Sequence, residues 1–276
     1  MTVRDELIEL DGLRFHYRDW SSSKPNSPAL ILLHGYTGHA RSWDKFADEM
    51  SSAYRVFALD QRGHGETQWA PSDRYGTEDM VADLEKFVTA LDLDDFALLG
   101  LSMGGLVSIA YAGTRPSGLH KLVIVDIAPE IAKSGLKGIR SNVARSDLFD
   151  SVEEAYDRAR LDNPIPPENH HYDRVRHSLM RTQSGQWTYR YDRALRDPEV
   201  NRIRMSPEQG WQAAAKINVP TLLIRGENSN ILDGDVAKRF EKTVPECGVV
   251  EIAGSGHSVP LDKPEEFAVV ASQFLK

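Results

Sequence analysis

At 276 residues, 41% hydrophobic and 27% charged, the chain is long enough to bury a large core, and one domain with an insertion accounts for it as readily as two. A net charge of −8 argues against nucleic acid as a partner, because duplex binding depends on basic surface that displaces counterions. Met1 to Trp20 is charged throughout, and no stretch approaches the roughly 18 apolar residues of a membrane span, so a soluble cytoplasmic protein without a membrane partner is expected. Cys247 is the single cysteine, which excludes an internal disulfide and a cysteine-based metal site.

In chain order, 7–10 and 13–17 read as strands joined by Asp11-Gly12, a pair that readily takes the positive φ angles of a tight antiparallel turn. Residues 21–28 read as a loop. Short apolar runs then alternate with helical periods: strands near 29–33, 55–60, 95–100 and 120–126, helices near 41–52, 77–91 and 103–114. Beyond Pro129 the pattern changes to helices near 147–160, 167–182 and 207–215, with Trp187 to Tyr191 as a short extended piece. Alternation returns with strands near 221–225 and 248–252 and helices near 234–243 and 264–274. The pattern predicts an α/β fold, a mostly parallel eight-stranded sheet with helices on both faces and right-handed crossovers. Residues 1–126 and 217–276 are expected to form the core domain, with 127–216 a helical cap inserted after the sixth strand. From Ile127 to Lys216 there are 15 Lys and Arg against 13 Asp and Glu, leaving a net −10 for the rest, so a mildly basic cap over an acidic body suits an anionic small molecule.

Gly100-Leu101-Ser102-Met103-Gly104-Gly105 is the most informative stretch. An apolar run ends and a helical period begins there, so Ser102 is expected on a sharp strand-to-helix turn where Gly100 and Gly104 remove side chains that would collide. The new helix points free backbone N–H groups, that of Met103 among them, toward an oxyanion forming beside Ser102. A serine hydroxyl needs an imidazole to take its proton near neutral pH, and His257, in the loop Gly254-Ser255-Gly256-His257, is the candidate.

These motifs, with His34-Gly35 after Leu30 to Leu33 and Asp60-Gln61-Arg62-Gly63-His64-Gly65 after Val56 to Leu59, resemble the α/β-hydrolase superfamily in type and order, from about Leu7 to Phe274. The resemblance implies that His34 braces a loop whose residue Tyr36 supplies the second oxyanion donor, and that Asp60 and His64 are structural. Superfamily members commonly carry an aspartate after the penultimate strand, where this chain has Asn230. An amide carries no charge to stabilise an imidazolium. Asp126, at the end of the strand near 120–126, is therefore the preferred acid, a position some members use, and Glu227, Asp233 and Asp235 are the alternatives.

Candidate pocket residues are Leu101 beside the nucleophile and Trp187, Tyr189 and Tyr191 in the cap, with packing inside the cap as the competing explanation for the aromatics. Arg140, Arg145 and Arg190 are candidates to pair with a substrate carboxylate. His170, His171 and His177 lack the further ligands of a metal site, so neither metal nor cofactor is expected. The expected protein is a monomeric or homodimeric, cofactor-free serine hydrolase of a small ester or lactone, resembling carboxylesterases and enol-lactonases. Cleavage of a C–C or amide bond in a small anionic intermediate is the alternative, and a low-turnover ligand sensor is the reading from another class.

Overall fold

The computed structural model of the chain describes residues 3–22, 24, 26–201 and 204–276, without the side chains at 136, 139, 140, 142, 143 and 201. Strands β1 (Val3–Leu10) and β2 (Leu13–Trp20) pair antiparallel about Asp11 and Gly12, whose φ angles are +52° and +77°. There follow β3 (Ala29–Leu33), α1 (Asp44–Met50), β4 (Arg55–Leu59), α2 (Thr77–Ala90), β5 (Phe96–Leu101), α3 (Met103–Ala112) and β6 (Leu119–Val125). Between β6 and β10, the segment expected as an insertion, lie α4 (Lys133–Ala144), β7 (Leu148–Phe149), α5 (Val152–Asp162), α6 (Glu168–Ser178), β8 (Leu179–Arg181), β9 (Trp187–Tyr189), α7 (Pro198–Asn201) and α8 (Pro207–Ala214). Last come β10 (Thr221–Gly226), α9 (Gly234–Thr243), β11 (Cys247–Ile252), α10 (Val259–Asp262) and α11 (Pro264–Leu275).

The eight-stranded sheet has the order β1-β2-β4-β3-β5-β6-β10-β11, antiparallel at the β1-β2-β4 side and parallel from β4 onward. β3, at its centre, is apolar at every position because both faces are covered. Ile31 and Leu33 turn to one face, where they join Leu84 and Phe87 of α2 and Val107 of α3, while Leu30 and Leu32 turn to the other and meet Phe46 of α1 and Phe267 of α11. The strand order reverses direction between β3 and β5. Ligands collect beyond the carboxyl ends of strands at such a switch point, and His34, Ser102 and Asp126 directly follow β3, β5 and β6.

The segment between β6 and β10 carries more strand than the one extended piece expected. The extended piece becomes β9, which pairs antiparallel with β7 and β8 in a three-stranded sheet. Pairing with β9 explains why α6 stops at Ser178 rather than near 182: Leu179–Arg181 satisfies its backbone across the sheet instead of along the helix. Helix α4 falls where no helix was expected. α8, grouped by sequence with the insertion, buries Trp211 and Ala214 in the same core cluster as α3, on the sheet itself. Among the described residues no helix is long and apolar enough to cross a membrane.

Candidate active site

β5 runs into α3 through Ser102 alone, which takes φ +52° and ψ −113°, a conformation that L residues rarely adopt. Close packing holds it there. A Cβ on Gly100 would stand 2.3 Å from the Gly104 carbonyl oxygen, and one on Gly104 would stand 2.6 Å from that of Leu33, so neither position admits a side chain. Ser102 N donates to Val125 O at 3.0 Å, and Ser102 O accepts from Leu106 N at 3.0 Å, tying the strained residue to both β6 and α3. The hydroxyl is thereby presented at the sheet edge, at the foot of a cavity.

Residues remote in sequence meet this hydroxyl. His257 Nε2 lies 2.9 Å from Ser102 Oγ, and its Nδ1 lies 2.7 Å from Asp126 Oδ2. A carboxylate beside Nδ1 requires that nitrogen to carry the proton, which leaves Nε2 to accept from the serine. Asp126 is fully buried, and its charge is met by the Gly226 backbone N–H at 2.8 Å and by the Ser229 hydroxyl. The alternative acids are engaged elsewhere. Glu227 accepts from Gly254 N at 2.7 Å, Asp233 caps α9 by accepting from Asp235 N, and Asp235 lies 3.7 Å from Lys238. Asn230 is exposed. Asp262 accepts from Gly256 N at 2.8 Å and from Asn163 Nδ2 at 2.7 Å, anchoring the His257 loop to the segment between β6 and β10; sequence reading missed this residue.

The loop after β3 is braced by His34, whose Nδ1–H donates to Gly35 O at 2.8 Å while Nε2 accepts from Gln61 N at 3.0 Å. Gln61 Nε2 returns a bond to His34 O at 2.6 Å. Asp60 ties the adjoining turns by accepting from Ala40 N, Glu66 N and His16 Nδ1. Among the described residues no acceptor meets the backbone N–H of Tyr36 or of Met103, both of which line the cavity. Two free donors near a nucleophile are what a developing oxyanion requires.

Loss of hydration pushes the buried His34 down to about 4 and His64 to about 3, from an ordinary 6.5. Between pH 6.5 and 4 the unfolded chain then binds more protons than the folded one, so stability held above 6.5 is lost as pH falls through that window. At about 1.4 kcal/mol per unit of pKa difference, the melting temperature should fall by roughly 5 °C or more between pH 7 and 4.5, and His64→Asn should flatten the slope. Calorimetry checks this; an unchanged melting temperature across the range would refute it.

The cavity, about 420 Å³, lies between the carboxyl edge of the sheet and the insertion. Tyr36, Leu101, Met103, Tyr189 and Tyr191 line it together with Ser102 and His257. Arg145 also lines it, with its guanidinium on both oxygens of Asp162 at 2.9 Å. Two candidates are corrected. Trp187, opposite Phe149 in the small sheet, packs on the Phe149-Ala155-Val175-Leu179 cluster under the Arg181 guanidinium, 4.2 Å from its ring, and does not line the cavity. Arg190 points to the other side of the strand from Tyr189 and Tyr191, where Nη2 donates to Leu179 O at 3.0 Å. The side chain of Arg140 lies outside the described residues. Of the three histidines of α6, His170 and His171 line the cavity and His177 packs edge-on against His39; among the described residues no three His, Cys, Asp or Glu side chains converge as metal ligands would.

Arg174 and Arg204 line the cavity too, and sequence reading missed both. A signal existed for the first: 171, 174, 175 and 178 recur on one face of α6, and His171, Val175 and Ser178 are buried. Arg174 therefore sits on the inward face of a helix that looks merely solvated in sequence.

Residues 28–264 match the family described as alpha/beta hydrolase fold. A protein of Bacillus subtilis named for 2-succinyl-6-hydroxy-2,4-cyclohexadiene-1-carboxylate synthase is 30% identical across 96% of each chain. The 3-hydroxybutyrate-oligomer hydrolase of Cupriavidus necator is 26% identical over 98% of this chain and 95% of its own. The crystal structure of E-2-(acetamidomethylene)succinate hydrolase superposes with a TM-score of 0.89 over 99% of both chains at 21% identity, a likeness of fold.

Proposed function

This chain belongs to the α/β-hydrolase fold family and is a hydrolase, and from that premise we propose that it cleaves an ester or lactone of a small organic acid through an acyl-enzyme on Ser102. The observation that carries the reading is the unbroken hydrogen-bonded chain from Ser102 Oγ through His257 to the buried Asp126, built on a turn that holds the serine in strained backbone geometry. Ser102 Oγ attacks the carbonyl carbon as its proton passes to His257 Nε2. The Tyr36 and Met103 amides receive the oxyanion, and Asp126 stabilises the imidazolium without taking the proton. Collapse breaks the bond to the leaving oxygen, which leaves with the proton from His257. Water then repeats the sequence on the acyl-enzyme, its proton passing to His257 and then to Ser102 Oγ, and the free acid is released. No step calls on a cofactor.

The ester reading draws support from the relative named for hydrolysis of 3-hydroxybutyrate oligomers. A second reading is cleavage of a C–C or amide bond in a small anionic intermediate; the relative named for a cyclohexadiene carboxylate synthase supports only the acidic character of the compound handled. Rapid acid quench during turnover of a short-chain nitrophenyl ester should give a protein heavier by one acyl group, carried on the peptide containing Ser102. Hydrolysis of no member of a panel of such esters, lactones and dienoic diketones would defeat the proposal, and turnover of the diketones alone would favour the second reading.

A further inference from the structure

The cavity holds more positive charge than the protein itself balances. Arg145, Arg158, Arg174, Arg196 and Arg204 line it, against the single carboxylate of Asp162. Two of the five meet a carboxylate, and a third is held by its neighbours. Arg145 holds Asp162, Arg196 lies 3.4 Å from Asp147 and 3.2 Å from the Tyr191 hydroxyl, and Arg158 donates to Ser146 O at 2.6 Å while covering the Phe149 ring. Arg174 and Arg204 differ. Arg174 donates to the Ser178 hydroxyl, itself within 3.2 Å of His39 Nε2, and Arg204 lies 5.3 Å from the centre of the Tyr36 ring. These contacts orient the two guanidinium groups without neutralising them, and among the described residues neither meets a carboxylate.

Such an arrangement is costly for the free protein. Loss of hydration pulls Arg174 down to about 10 and lowers Arg204 as well, while His39 beside the first is held neutral by its own burial. The most buried arginines elsewhere in the chain are not left in this condition. Arg62 grips both oxygens of Asp83, and Arg18 holds Asp5 and Asp44. Position adds to the argument. His39 Nε2 lies 3.4 Å from Arg174 O and shares the Ser178 hydroxyl with its guanidinium, while Arg204 faces the Tyr36 ring, so both arginines border the loop after β3 that carries Tyr36 and His39. An anion bound there shares the cavity with the carbonyl presented to Ser102.

We propose that Arg174 and Arg204 form a carboxylate-binding subsite, and that the substrate is an acid bearing a free carboxylate in addition to the bond attacked by Ser102, as in a half-ester of a short dicarboxylic acid. The proposal deepens the serine-hydrolase reading and rests on it for turnover, though not for binding. The guanidinium fork gives paired, charge-assisted hydrogen bonds to a carboxylate, and the water displaced from a confined cavity makes them stronger than at a surface.

The test compares mono-nitrophenyl glutarate with the neutral nitrophenyl valerate of equal chain length. In the wild type, kcat/KM should favour the half-ester by about 10- to 100-fold, the range of one or two charge-assisted bonds. Arg174→Met and Arg204→Met should each cut that preference by about tenfold, mainly through KM, whereas Arg174→Lys should restore part of it. Equal loss on both esters, or a wild-type preference for the neutral ester, overturns the proposal. A second measurement is independent of turnover: glutarate should bind Ser102→Ala in calorimetry, more weakly at high salt, and glutaramide should not. Glutarate binding with no ester turned over would sink the hydrolase reading and keep the subsite. Hydrolysis without glutarate binding or half-ester preference would do the reverse.

Discussion

Ser102→Ala is expected to lower kcat by about 10⁵- to 10⁶-fold, the scale seen when the nucleophile of a serine protease is removed. The methyl group of alanine cannot attack, and His257 Nε2 loses the partner 2.9 Å away whose proton it takes. The fold should survive. Alanine has the same Cβ, so it meets the same backbone strain at φ +52°, and the hydroxyl contributes one partly exposed hydrogen bond worth about 1 kcal/mol. The expected result is therefore an inactive protein whose melting temperature stays within a few degrees of the parent. A variant that keeps a tenth of the rate, after active-site titration excludes contamination, would remove Ser102 from the chemistry.

Asp126→Asn should lower kcat by about 10⁴-fold, as the same change does in a protease triad. Two effects act together. The amide carries no charge to balance the imidazolium, and its NH2 group favours the tautomer with the proton on Nε2, which can no longer accept from Ser102. The substitution also disturbs a buried junction, because Asp126 accepts from Gly226 N, the Ser229 hydroxyl and His257 Nδ1 at once. A melting curve separates that structural cost from the chemical one. Asn230→Ala, an exposed position, should change kcat by less than about twofold, the scale of an ordinary surface substitution. The opposite ranking would move the acid to the loop after β10.

The comparison between these two positions shows how far sequence carries. Asn230 by itself says only that the usual place for the acid is vacant, and composition offers several carboxylates instead. β6 lies between β5 and β10 in the sheet, so Asp126 emerges directly beside Gly226 at the end of β10, and the His257 loop passes over both. The backbone at Asp126 is bent into φ +50°, a conformation that local sequence does not announce.

What the sequence by itself determined is what short-range sterics and periodicity encode. Apolar runs that alternate with helical periods specify the parallel sheet, Asp11-Gly12 specifies the first hairpin, and the glycines around Ser102 specify the turn, since a Cβ at Gly100 or Gly104 has nowhere to go. The tertiary structure alone decided which cationic groups reach the cavity. The sequence offers Arg140, Arg145 and Arg190 as partners for a substrate carboxylate, yet Arg190 turns away to donate to Leu179 O, and Arg145 is consumed by Asp162. Arg174 and Arg204 are left facing the cavity without a carboxylate partner among the described residues, because charge compensation depends on which side chains meet across the fold, and adjacency along the chain carries no information about that.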